Sequence, residues 1–161
     1  MSIKKLSFVD NKSINAVAIG GAVLGSGGGG DPYVGKLMAQ QSIEETGGVE
    51  VIDIESLPDD ALILPIAMMG APTVMVEKFP SGNEFAQLIP MIEKMLTKPV
   101  AAILCIEAGG LNSTIPFSAA SKLGLPIIDG DAMGRAFPEL QMVTFTLGGI
   151  SATPMAMVDE K

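Results

Sequence analysis

Residues 61–69 and 100–106 each run almost without interruption through Ala, Ile, Leu, Met and Val. A strand with one wet face alternates apolar and polar residues, as the Val-Glu-Val-Ile-Asp-Ile stretch at 49–54 does, so a continuous apolar run requires cover on both faces. The segments between these runs have helical spacing. Ile14, Val17, Ala18, Gly21 and Ala22 recur behind Ser13 as an N-cap, up to the glycines that begin at Gly25. Asp31-Pro32 has the N-cap and first-turn chemistry of a second helix, which carries Val34, Leu37, Met38 and Ile43 and stops at Gly47-Gly48. Residues 84–96 put Phe85, Leu88, Ile89, Ile92, Met95 and Leu96 on one face, with Pro90 expected to kink or break the helix. Residues 116–123 predict a further helix ended by Gly124, residues 125–128 a short strand, and residues 141–147 a later strand after a polar loop at 129–139. This alternation predicts an α/β fold: a mostly parallel sheet covered by helices in three layers, with functional groups in loops beyond the strand C-termini.

A chain of 161 residues is long enough for one domain with a real core and too short for two, so residues 1–161 are read as a single α/β domain. Ten basic against eighteen acidic residues give a net charge of −8. That balance opposes the phosphate neutralisation needed for nucleic-acid binding and disfavours anionic membranes. The longest apolar runs are broken by Pro65 and Glu107, well short of the ~20 residues that span a bilayer. Lys4 and Lys5 ahead of residues 16–24 imitate a signal peptide, but Asp10, Asn11, Lys12 and Asn15 interrupt the apolar segment. Cys105 is the single cysteine, set in Ala102-Ile-Leu-Cys-Ile106, and reads as a small core residue of a cytoplasmic protein. With no histidine in the chain, a Cys–His nucleophile pair, a Ser-His-Asp triad and His-based metal sites are all excluded. The eleven methionines are expected to fill an adaptable core.

Three loops carry the candidate chemistry. Gly25-Ser-Gly-Gly-Gly-Gly30 formally fits two phosphate-loop templates. A Walker loop needs Lys and Ser/Thr after the last glycine, where Asp31 and Pro32 stand. The dinucleotide fingerprint fits Gly25, Gly27 and Gly30, with Asp53 near the expected distance, but it requires a strand where helical spacing is found. A nest of N–H groups around Gly28, Gly29 and Gly30, beside Asp31, and a tight structural turn are the remaining readings. The second loop, Glu107 followed by Ala108, Gly109, Gly110, Leu111, Asn112 and Ser113, brings a carboxylate, an amide and a hydroxyl to the end of a buried strand. There Glu107 is expected to meet a ligand without being embedded in the core; the alternative is that Asn112 and Ser113 cap the next helix. The third contains Asp129, Asp131 and Arg135. Two aspartates at that spacing suit a divalent cation or an acid–base pair, with Arg135 holding substrate, and a solvated turn with a salt bridge fits equally. No cofactor is required by the sequence.

Taken together, Gly27-Gly-Gly-Gly-Asp-Pro-Tyr33, Met69-Gly-Ala-Pro-Thr-Val74, Glu77-Lys78, Gly109-Gly-Leu-Asn-Ser113 and the long run from Asp129-Gly-Asp131 to Gln141-Met142 resemble the N-terminal domain of the S-methyl thiohydantoin desulfurase family, which is associated with hydantoinase and oxoprolinase enzymes. The resemblance extends from about Ile14 to about Met157 and departs at Ala108 and Ala132. It implies hydrolytic removal of sulfur from an S-methylated thiohydantoin, with Glu107, Asp129 or Asp131 as base. The glycine loops, Asn112, Ser113 and Arg135 would bind the ligand, and loop N–H groups would polarise the ring. Family members continue into a second domain, so the expectations include a truncated half-enzyme or non-catalytic ligand-binding subunit that needs a C-terminal partner. A homo-oligomer is a further expected partner arrangement.

Overall fold

The computed structural model describes residues 5–70, 74, 77, 78 and 80–159. Of the motif at 69–74, residues 71–73 lie outside the described residues. Five strands form one sheet: β1 (Phe8–Val9), β2 (Val49–Ile52), β3 (Leu62–Ile66), β4 (Val100–Cys105) and β5 (Ile127–Asp131), in the order β1-β2-β5-β4-β3. All neighbours run parallel except β1, which pairs antiparallel with β2. Among the described residues, helices α1 (Ile14–Gly25), α2 (Pro32–Thr46), α3 (Glu84–Leu96) and α4 (Ile115–Leu123) accompany the sheet.

Side chains alternate across the strands, and the two faces of the sheet meet different cover. Val49, Val51, Leu64, Ile103 and Ile127 point into the main core with Ile14 of α1, Ala39 and Ile43 of α2, and Ile115 and Ala119 of α4. Ile52, Ile63, Ala102, Leu104 and Ile128 point the other way, against Leu57 and Phe145. Cover on that side comes from 3₁₀ turns at Leu140–Met142 and Thr144–Gly148 and the irregular stretch that follows them. The third layer is therefore turns and extended chain where the first is helix.

Local chemistry explains the helix ends. Asp31 accepts the Tyr33 N–H at 2.8 Å with Pro32 in the first turn, and Gly47 closes α2 at φ 100°. In α1 the capping role passes from Ser13 to Asp10, whose Oδ1 accepts the Lys12 and Ser13 N–H groups at 3.1 and 2.7 Å. Hydrogen bonding, first from the Ser13 hydroxyl, holds the Asp10 carboxyl below the usual carboxylate range. Pro90 neither breaks nor ends α3: it is exposed, and the carbonyl it leaves unbonded lies on the solvated side of the helix. Small residues let α2 and α4 approach closely, with the Ser42 and Ser118 hydroxyls 2.7 Å apart and Thr46 bonded to Ser121.

Three expectations are corrected. Residues 141–147 form no strand, because the N–H and hydroxyl of Thr144 both bond to the Ala132 carbonyl (2.8 and 2.9 Å) and pin the segment beneath the end of β5. β5 runs on to Asp131 instead of stopping at 128, so Asp129 and Asp131 are strand residues. Most methionines lie outside the core: among the described residues only Met38 and Met68 pack against it, partly buried, while Met69, Met91, Met95, Met142, Met155 and Met157 are exposed. Among the described residues no helix is long and apolar enough to cross a membrane.

Candidate functional site

The glycine loop at 25–31 follows a helix, so the strand demanded by the dinucleotide fingerprint is absent, and Asp53 is ion-paired with Lys5. What the glycines provide is close backbone packing. The Gly110 N–H donates to the Gly28 carbonyl at 2.9 Å and the Asn112 N–H to the Gly29 carbonyl at 3.1 Å. A Cβ on Gly29 would lie 2.6 Å from the Gly109 Cα, and one on Gly30 2.9 Å from the Leu111 Cβ; both glycines have positive φ. One helix turn away, a Cβ on Gly21 would meet the Ser113 Oγ at 2.5 Å. The N–H groups of Gly28, Gly109 and Gly110 each bond to a backbone carbonyl. Asp31 is engaged in capping α2.

Glu107 is the centre of this seam and only 5% exposed, contrary to its expected place at a ligand-facing edge. Its Oε1 accepts from the Asn112 side-chain amide at 2.6 Å, and its Oε2 accepts the Phe137 N–H at 2.9 Å. The Asn112 amide is fixed in turn by Met68, accepting its N–H at 2.9 Å and donating to its carbonyl at 3.3 Å. Asn112 thereby continues the β3–β4 pairing with a side chain where the backbone has turned away. Cys105 donates through its thiol to the Glu107 carbonyl (2.6 Å) or the Asn112 carbonyl (3.1 Å). Burial pushes the thiol pKa up to about 12, as suits a structural thiol.

Asp131 joins the seam to an open space. Its Oδ2 accepts the Ala108 and Gly134 N–H groups, both at 2.7 Å. Ile103 pairs with Ile127 and Cys105 with Asp131, so two steps along β4 match four along β5. The resulting bulge re-aims the Asp129-Gly130-Asp131 segment. Asp129 and Asp131 both line a groove of about 970 Å3 whose walls include Ile63 and Pro65 of β3, Leu104 of β4, Leu88 and Ile92 of α3, and Phe145. Residues 150–159 complete it. Arg135 is exposed, and its Nε donates to the Ala136 carbonyl at 3.0 Å. Among the described residues, no three His, Cys, Asp or Glu side chains cluster as a metal-ligand set.

The structure thus brings the three loops together, with Glu107, Asn112 and Ser113 inside the seam and Asp129 and Asp131 on the groove. Sequence reasoning missed the groove's other walls. The signal available was the segment Ala152-Thr-Pro-Met-Ala-Met157, apolar without helical or strand periodicity and therefore destined to lie over a surface.

A solved crystal structure of a protein from Chromobacterium violaceum is similar in fold, with a TM-score of 0.74 at 24% identity. The match covers 89% of this chain and 40% of that one. No curated protein matches the chain. Residues 12–161 match the family model described as S-Me-THD-like, N-terminal domain. With nearly the whole chain matched, the protein belongs to the S-Me-THD-like N-terminal domain family.

Proposed function

We propose that the groove binds an S-methyl thiohydantoin and that Asp131 acts as general base in hydrolytic removal of its sulfur. The observation that carries this reading is the pair Asp129 and Asp131 on the wall of an otherwise largely apolar groove, in a domain of this family. Asp131 is oriented by two N–H bonds to a single oxygen, an arrangement that aims its other oxygen. Water attacks the ring carbon that bears sulfur, and Asp131 takes the proton from it. The C–S bond then breaks, the carbon keeps the water's oxygen as a carbonyl, the adjacent ring nitrogen gains a proton, and methanethiol departs. Asp129 accepts a hydrogen bond from a ring N–H and sets the ring's orientation. Glu107 positions the base by holding the loop that supplies the Ala108 N–H.

A second reading is a ligand-binding half that turns over only with a C-terminal partner, because the family model that matches is that of an N-terminal domain. Methanethiol release is measured with the chain alone and with the chain joined to a family C-terminal domain. Release in either sample supports the activity, and release only in the second identifies the half-enzyme. Asp131→Asn should lower turnover by about 10²- to 10⁴-fold. No methanethiol in either sample overturns the reading; undiminished turnover in the variant moves the base to Asp129 or Glu107.

A further inference from the structure

The groove is larger than its proposed ligand ring. At about 970 Å3 it lies at the upper end of the roughly 300–1,000 Å3 that accommodates drug-sized ligands, whereas a five-membered ring is smaller than an indole. The space beyond the aspartates is walled by Ile63, Leu88, Ile92, Leu104 and Phe145. Its ionisable groups are also one-sided: the described lining residues include Glu84, Asp129 and Asp131 and no lysine or arginine. The chain's net charge of −8 reinforces that field.

We infer that the ligand carries a bulky apolar, non-anionic substituent beside its polar head, and that the groove selects for this substituent. The size of the inference rests on the apolar wall: transferring a benzyl group from water onto it strengthens binding by about 10- to 100-fold. A carboxylate in the same place loses its hydration beside Asp129 and Asp131 and meets no lysine or arginine among the described lining residues. The ring itself comes from the proposed function; the preference for the substituent comes from the groove and stands apart from it.

Calorimetric titration of the full chain with three hydantoins, bearing hydrogen, benzyl or carboxyethyl at the ring carbon, tests the inference, with N-acetyl-phenylalanine amide as a benzyl carrier that lacks the ring. Benzylhydantoin should bind about 10- to 100-fold tighter than hydantoin, and the carboxyethyl compound more weakly than either. Asp129→Lys, at an exposed position, should raise affinity for the carboxyethyl compound and narrow that gap. Equal affinity for hydantoin and benzylhydantoin overturns the inference, as does preference for the carboxyethyl compound in the unaltered chain. If the amide binds as tightly as benzylhydantoin, the inference stands and the hydantoin reading falls. If neither benzyl compound binds, the inference falls and the apolar walls are left to a protein partner such as a second domain.

Discussion

Along the seam between residues 25–31 and 107–113, backbone meets backbone at separations that leave no room for a Cβ, whereas on the other side of Asp131 the groove holds about 970 Å3 of space. Both regions carry motif residues, and both look equally suited to ligands in the sequence. The difference teaches that glycine permits close approach without specifying what approaches: here it is another segment of the same chain. Glu107 and Asn112 in the seam are satisfied by their neighbours, and where β5 bulges Asp129 and Asp131 reach the groove.

The contrast breaks most readily at Gly29. Gly29→Ala puts a methyl group 2.6 Å from the Gly109 Cα at a φ of +76°, and should cost about 3 kcal/mol in denaturant unfolding, combining overpacking with left-handed strain. A cost below 1 kcal/mol would mean the seam yields easily. Glu107→Gln probes the same region without changing size. Both groups facing the carboxylate are donors, and Met68 locks the Asn112 amide in that orientation. The glutamine amide must therefore confront a donor, and stability should fall by about 2 kcal/mol. Loss of turnover with unchanged melting temperature would instead make Glu107 a participant in the reaction.

Cys105 offers a smaller, pH-dependent effect. The folded thiol keeps its proton to about 12 while the unfolded one ionises near 9.0, so the unfolded state releases its proton first. Stability should therefore fall as pH rises from 9 towards 12, with the thiol contributing at most about 1.4 kcal/mol per pH unit, and the slope should lessen in Cys105→Ala. On the groove side, Ile63→Ala is expected to cost under about 1.5 kcal/mol, since the removed atoms border open space and leave no closed cavity. A loss as large as that of Gly29→Ala would show the groove wall to be as tightly packed as the seam.

The fold was legible where periodicity and end signals were strong. The apolar runs gave β3 and β4, and Asp31, Pro32 and Gly47 bounded α2. β1 is two residues long, too short for any pattern to register. The segment at 141–147 looked like a strand by composition and was diverted by the Thr144 bonds to Ala132, a tertiary contact with no local signature. The same reasoning found the residues of the candidate site but not their division. Burial of Glu107 depends on Asn112 and on Phe137, thirty residues later in the chain, and spacing alone does not reveal that the carboxylate is enclosed.

The groove's methionines make its wall sensitive to oxidants. Met38, Met68, Met69, Met155 and Met157 contribute to its lining, and Met69 and Met157 are 61% and 74% exposed. A thioether oxidised to the sulfoxide becomes polar and chiral, and the change is reversible by reductases. Oxidants thus reach the groove wall directly at Met69 and Met157, while Met38 and Met68 are partly shielded against the core and the Cys105 thiol is buried. Oxidative injury would make the groove wall more polar while the domain stays folded, and repair of the sulfoxides would restore it.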